Sequence, residues 1–158
     1  MRALLIGLAA FTVACGSAPE AAKKAEETKA PAPAPKKVAD HTSMLLDKNR
    51  TGVSIVPDHL VGNSALPGGS LGEYDLGGKD YEMFVAELAT AQDAAFLLPD
   101  VKKTLTDPEY LPQMGGYFGT FSGKPFYVFA KGQYVAGVYG LPQKPADELA
   151  RELAVRLR

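Results

Sequence analysis

Gly116-Tyr117-Phe118-Gly119-Thr120-Phe121, Phe126-Tyr127-Val128-Phe129 and Tyr134-Val135-Ala136-Gly137-Val138-Tyr139 are three runs rich in aromatic residues and Val. Ser122-Gly123 and Lys131-Gly132 separate them, and both dipeptides are hairpin turn signals. Gly116 to Tyr139 therefore reads as a three-stranded antiparallel meander. Two-residue turns at those dipeptides set Phe126 opposite Gly119 on one side and Gly137 on the other. The ring then covers backbone that the glycines leave bare. A longer turn around Lys124-Pro125 slides the first pairing by two residues but leaves the faces unchanged, because side chains alternate with period two. One face carries Tyr117, Phe121, Phe126, Val128, Val135 and Tyr139. The other carries Phe118, Tyr127, Phe129, Tyr134 and Val138. Both faces are apolar, so both need covering.

Helices flank this stretch. After it, Ala146, Leu149, Ala150, Leu153 and Leu157 recur at three- and four-residue spacing, the stripe of an amphipathic helix. Pro145 suits its first turn, Asp147 and Glu148 its positive end, and Arg156 and Arg158 its negative end. Before it, Thr90 is an N-cap with Asp93 three residues on, followed by Ala94 to Leu98. Pro99 is expected to stop that helix, with one more turn over Val101 to Leu105 before the breaks at Asp107-Pro108 and Leu111-Pro112. Tyr81 to Leu88 reads as a strand. Val53 to Val56, Leu60 to Val61 and Leu71 to Leu76 read as shorter strands between turn signals. The expected fold class is α+β, a mostly antiparallel sheet with a C-terminal three-stranded meander packed against two helices. Both helices are expected on one face, leaving the other to the early strands, a ligand or another molecule.

The chain has 158 residues, 46% apolar and 22% charged, enough for one soluble core. Its 17 basic and 18 acidic residues leave a net charge of −1, which argues against a nucleic-acid binder. One cysteine excludes an intrachain disulfide and a Cys-rich zinc site. With two histidines, no metal or cofactor is expected.

Arg2 precedes twelve uncharged residues, Ala3 to Ala14. As a helix they would span roughly 18 Å, too short for a bilayer core of about 30 Å. This is the pattern of a secretory signal peptide. It closes on Thr12-Val13-Ala14-Cys15-Gly16, which resembles the lipobox of bacterial lipoproteins, with Thr12 where that family most often has Leu. The resemblance implies cleavage before Cys15 and lipidation of its thiol with a diacylglycerol and usually a third acyl chain. Several chains anchor stably where one does not. Gly16 rather than Asp after the cysteine implies the outer membrane, by the sorting rule of enterobacterial lipoproteins. The chain therefore divides into a signal peptide (1–14), a lipidated Cys15 with a tether (15–40) and a globular α+β domain (41–158).

Residues 16–40 contain eight Ala, four Pro and nine charges but no aromatic. That composition cannot bury enough apolar area to offset the entropy of ordering. Ala30-Pro31-Ala32-Pro33-Ala34-Pro35 favours extended polyproline II, and the 25 residues could reach roughly 75 Å. A spacer that lifts a domain off a membrane accounts for this composition better than a proline-rich ligand does.

Candidate chemistry is sparse. His41 at the tether boundary and His59 beside Asp58 read as ordinary exposed histidines, because catalysis needs partners fixed by the fold. Gly68-Gly69-Ser70-Leu71-Gly72 and Gly77-Gly78-Lys79 lack the context of a phosphate loop and read as turns. Asp100, Asp107 and Glu109 lack calcium-ligand spacing. Tyr117, Phe118, Tyr127, Phe129 and Tyr134 form a candidate binding surface, since Tyr offers contact area with a polar tip. A sheet that buries these rings in its own core is the competing and commoner outcome. The order of strand, helix, hairpin and final helix looks like the uncharacterised α+β domains of many bacterial lipoproteins, a resemblance that implies no activity. The expected function is a non-enzymatic, membrane-anchored binding or accessory module of the cell envelope, with an envelope protein or small ligand as partner. The alternative is a small envelope hydrolase or transferase using Asp58 and His59.

Overall fold

The computed structural model describes residues 38–158, so the signal peptide, Cys15 and the tether as far as Lys37 lie outside the described residues. Among the described residues seven strands and two α-helices follow in the order β1 (Arg50–Asp58), β2 (Pro67–Asp75), β3 (Asp80–Glu87), α1 (Ala91–Lys103), β4 (Thr106–Leu111), β5 (Gly116–Phe121), β6 (Lys124–Lys131), β7 (Tyr134–Tyr139) and α2 (Gln143–Arg156). All strands join one antiparallel sheet in the order β1-β2-β3-β7-β6-β5-β4. The fold is mixed α+β, as expected.

The helices take opposite faces. Ala94, Leu98 and Val101 of α1 pack with Phe84, Phe126, Val128 and Val135, and with the half-buried Tyr117, Phe121 and Tyr139. Ala146, Ala150 and Leu153 of α2, with Leu157, pack on Met83, Tyr127, Phe129, Tyr134 and Val138, with Phe118 at the margin. The division of aromatic residues between two faces is therefore the one the alternation predicts. The placement of both helices on one face is not, because each apolar face of the sheet takes one helix. The early strands do not cover a face either: β1 to β3 extend the same sheet through β3 and β7.

Four local expectations are corrected. Pro99 sits inside α1 rather than stopping it; buried Leu98 and Val101 on either side hold the helix on the sheet, while Pro99 faces solvent. Leu60 and Val61 form a 3-10 turn, Leu60–Gly62, that drives Leu60 into the core. Gly68 and Gly69 belong to β2, where a side chain on Gly69 would strike Leu60 and the backbone of Val85. The stretch around Asp107-Pro108 is an edge strand, β4, whose register shifts between Thr106 and Glu109.

The register of the aromatic stretch is half as expected. Phe126 lies opposite Gly119, but on its other side it faces Tyr139, and Gly137 faces Val128. The second turn is centred on Gly132-Gln133, with Lys131 opposite Tyr134, which slides that pair by two residues. Leu105 and the β4 residues Thr106 and Pro108 crowd the space at Gly119, and Phe84 fills that at Gly137. Phe126 is fully buried beside these sites, stacked on Phe84 at 5.6 Å between ring centroids.

Candidate functional site

Register builds one concave site. Gly52 faces Glu73, Glu73 faces Glu82, Glu82 faces Tyr139, and Tyr139 faces Phe126, a row running across five strands. Beside this row lies a cleft of about 330 Å³ lined by Thr51, Glu73, Asp80, Glu82, Lys124 and Tyr139, among others. Gly52 leaves room for its neighbour: a Cβ there would stand 2.9 Å from a Glu73 carboxylate oxygen. The Lys124 ammonium lies 5.5 Å from the centre of the Tyr139 ring, a cation–π contact.

The electrostatics follow from this crowding. Burial raises the Glu82 carboxyl above its ordinary range, with Lys124 opposing and the Glu73 charge adding to the rise. Burial also raises the Tyr139 phenol, and Glu82 adds to it. On the face of β2 opposite Glu73, in the core under α2, burial pushes Tyr74 up to about 12. Its hydroxyl donates to the carbonyl of Leu46 at 2.8 Å, and its ring stacks on Tyr81 at 5.0 Å. Carboxylates, one ammonium and the Tyr139 ring around a single cleft can offer charge and an aromatic edge to a small polar ligand.

The predicted aromatic surface is not a surface. Tyr127 and Phe129 are buried under α2 together with Tyr134, which is 7% exposed; Phe118 is half-buried beside them. Tyr117 lies on the opposite face, half-buried beneath α1 with Lys102 over its ring. The rings went into the two cores because both faces of the sheet acquired helices. Tyr127 still finds a partner for its polar tip, donating to Asp147 of α2 at 2.7 Å. Asp147 is held below the ordinary carboxylate range by the Arg151 guanidinium and by that phenol.

Neither histidine lines the cleft. His59 is exposed, and its Nε2 lies 3.5 Å from Asp58, which a left-handed backbone at φ 54° brings to the same side. His41 is not the exposed residue expected. Its Nε2 lies 2.8 Å from a Glu87 oxygen, its backbone N–H donates to Ser70 Oγ at 2.8 Å, and its ring meets Tyr134 edge-on. It latches the first described segment to the sheet. The sequence reading missed Glu73, Glu82 and Lys124. Gly77-Gly78 held the signal: a two-residue turn there, with Leu76 opposite Lys79, sets Glu73 against Glu82. No protein-family description, no curated protein and no solved structure matches this chain.

Proposed function

We propose that the chain is a lipid-anchored binding or accessory module of the cell envelope, exported by its first fourteen residues and held to a membrane through Cys15. The observation that carries this reading is the position of the only cysteine. It closes an uncharged run too short to span a bilayer and opens a tether that leads directly to the folded residues. Gly16 favours the outer membrane. Among the described residues, those before Met44 contribute to neither core, which supports reading the segment ahead of the domain as a spacer. In this reading the three C-terminal strands form a meander that serves as the rigid platform, and the cleft beside Glu73 and Glu82 takes a small ligand or an envelope partner. The hydrolase or transferase alternative rested on Asp58 and His59, and their exposure outside the cleft takes that support away.

Metabolic labelling with a clickable fatty acid tests the anchor. The native chain is expected to label, and Cys15→Ala to remain an unlabelled precursor. Equal labelling of both refutes the assignment.

A further inference from the structure

The sheet has two edges, and they are built differently. β4 carries Pro108, the charges of Asp107 and Glu109, a left-handed residue at Asp107 (φ 50°) and a register shift. Each of these disfavours pairing with another strand. β1 has its register shift at its start, between Arg50 and Gly52, and pairs regularly with β2 from Gly52 to Asp58. From Thr51 to Pro57 it holds no charge, its one proline, Pro57, stands at the end of that run, and Val53 and Ile55, neighbours on one face, are 49% and 46% exposed. A long uncharged edge with exposed branched side chains is a template for another strand. The tether sequence is a poor occupant, since Pro31, Pro33 and Pro35 have no N–H to donate.

We propose that β1 pairs antiparallel with β1 of a second copy of this chain, across a two-fold axis through Ser54. In that register Val53 lies opposite Ile55 of the second copy and Ile55 opposite its Val53, so four half-exposed side chains become one covered apolar cluster. Charge favours this direction of pairing. Around the start of β1, Arg50 is paired with Asp47 at 2.9 Å and Lys48 supplies the excess positive charge, while its far end carries Asp58. Antiparallel pairing sets each basic end beside an acidic one; parallel pairing sets like beside like. The bulge turns Arg50 toward Tyr74 and away from the face of Asp58, so the attraction acts around the strand edge and is modest. A two-fold contact of this kind is self-complementary and closes. It uses up both β1 edges and leaves a sheet of twice seven strands bounded at each end by β4.

Residues 38–158 suit the test, because they carry all seven strands and both helices described above and contain no cysteine. Sedimentation equilibrium from about 1 µM to about 1 mM should show a monomer–dimer equilibrium, as befits a small interface. Ile55→Lys and Val53→Lys, at half-exposed positions, should stay folded by circular dichroism and sediment as monomers. Arg50→Glu and Asp58→Lys should each weaken the dimer by roughly two- to tenfold, and the double variant should recover most of that loss. Ser54→Cys should cross-link to itself through a short bis-maleimide. A chain that stays monomeric throughout overturns the proposal, as does a dimer indifferent to Ile55→Lys, one whose Ser54→Cys does not cross-link, or an open polymer. A strand from another protein on this edge, with this chain monomeric, overturns it equally. The fragment contains neither Cys15 nor the tether, so the outcome bears on pairing alone and leaves the anchor to its own experiment.

Discussion

The ring of Phe84 lies over the backbone of Gly137, its partner across β3 and β7, so closely that a Cβ on Gly137 would stand 2.6 Å from ring atom Cζ. That Cβ would also stand 2.2 Å from the carbonyl oxygen of Tyr127 on the next strand. Two different objects therefore exclude a side chain at this position: a ring that can turn and a backbone that cannot.

Gly137→Ala is expected to destabilise the domain by about 3 kcal/mol through overpacking. Phe84→Ala should cost about 3–5 kcal/mol through the cavity it leaves. Removing the ring does not remove the Tyr127 carbonyl, so the double variant should be less stable than Phe84→Ala alone by more than about 1 kcal/mol. Urea denaturation of the three variants decides it. Rescue of Gly137→Ala by Phe84→Ala would mean that the ring is the only obstacle.

Asp147 makes stability depend on acid. The Arg151 guanidinium and the Tyr127 phenol hold its carboxyl below the ordinary 3.8. A folded value below the unfolded one stabilises the fold above about pH 4 and is lost as pH falls through the folded value. Asp147→Asn should thus be less stable than the native domain by about 1 kcal/mol at pH 7. The difference should shrink as the pH falls below the ordinary carboxylate range and the carboxyl is protonated. A constant difference across that range would show that the carboxylate charge is not what matters.

Glu82 has the opposite sign. Burial raises its carboxyl above the ordinary 4.5, so ionisation weakens the fold as pH rises through the folded value. Glu82→Gln should match the native domain near pH 3 and exceed it by roughly 0.5–1 kcal/mol at pH 8, as relief of a cross-strand like-charge pair. A destabilised Glu82→Gln at pH 8 would mean that Lys124 outweighs burial and Glu73 together.

Val61 is a β-branched residue at φ 50°, in the left-handed region beside buried Leu60. Val61→Gly should relieve that conformation and raise stability by roughly 1 kcal/mol. Val56→Gly, on ordinary strand backbone, should lower it. Thermal melts of the two variants give the comparison, and a loss at Val61 would show that its packing exceeds its strain.

Periodicity made much of this fold legible. The alternation from Gly116 to Tyr139 divides its aromatic side chains correctly between two cores, and Thr90 caps α1 by accepting from Asp93 N at 3.1 Å. Pairing between distant segments was not legible. Nothing local to Phe84 says that it will meet Gly137, so the ring assigned to that glycine came from the nearer Phe126. Pro99 misled because local chemistry favours a stop there, while burial of Leu98 and Val101 is decided by the sheet beneath. The cleft stayed hidden because its glutamates are distributed over two strands. The aromatic surface was misplaced because period two tells which rings share a face, but not which face a helix will cover.

One contact reaches from near the beginning of the described residues almost to their end. Arg156 Nη1 donates to the carbonyl of Leu45 at 2.7 Å, 111 positions away along the chain. The sheet has the same character, since β1 to β3 reach the remaining strands only through β7. During synthesis, then, the first half of the domain leaves the ribosome with no completed core to fold against. Neither Leu45 nor β3 has its final neighbours until the last strand and helix have emerged. A chain built this way completes neither core until its translation is nearly finished, an order of assembly compatible with the export proposed above.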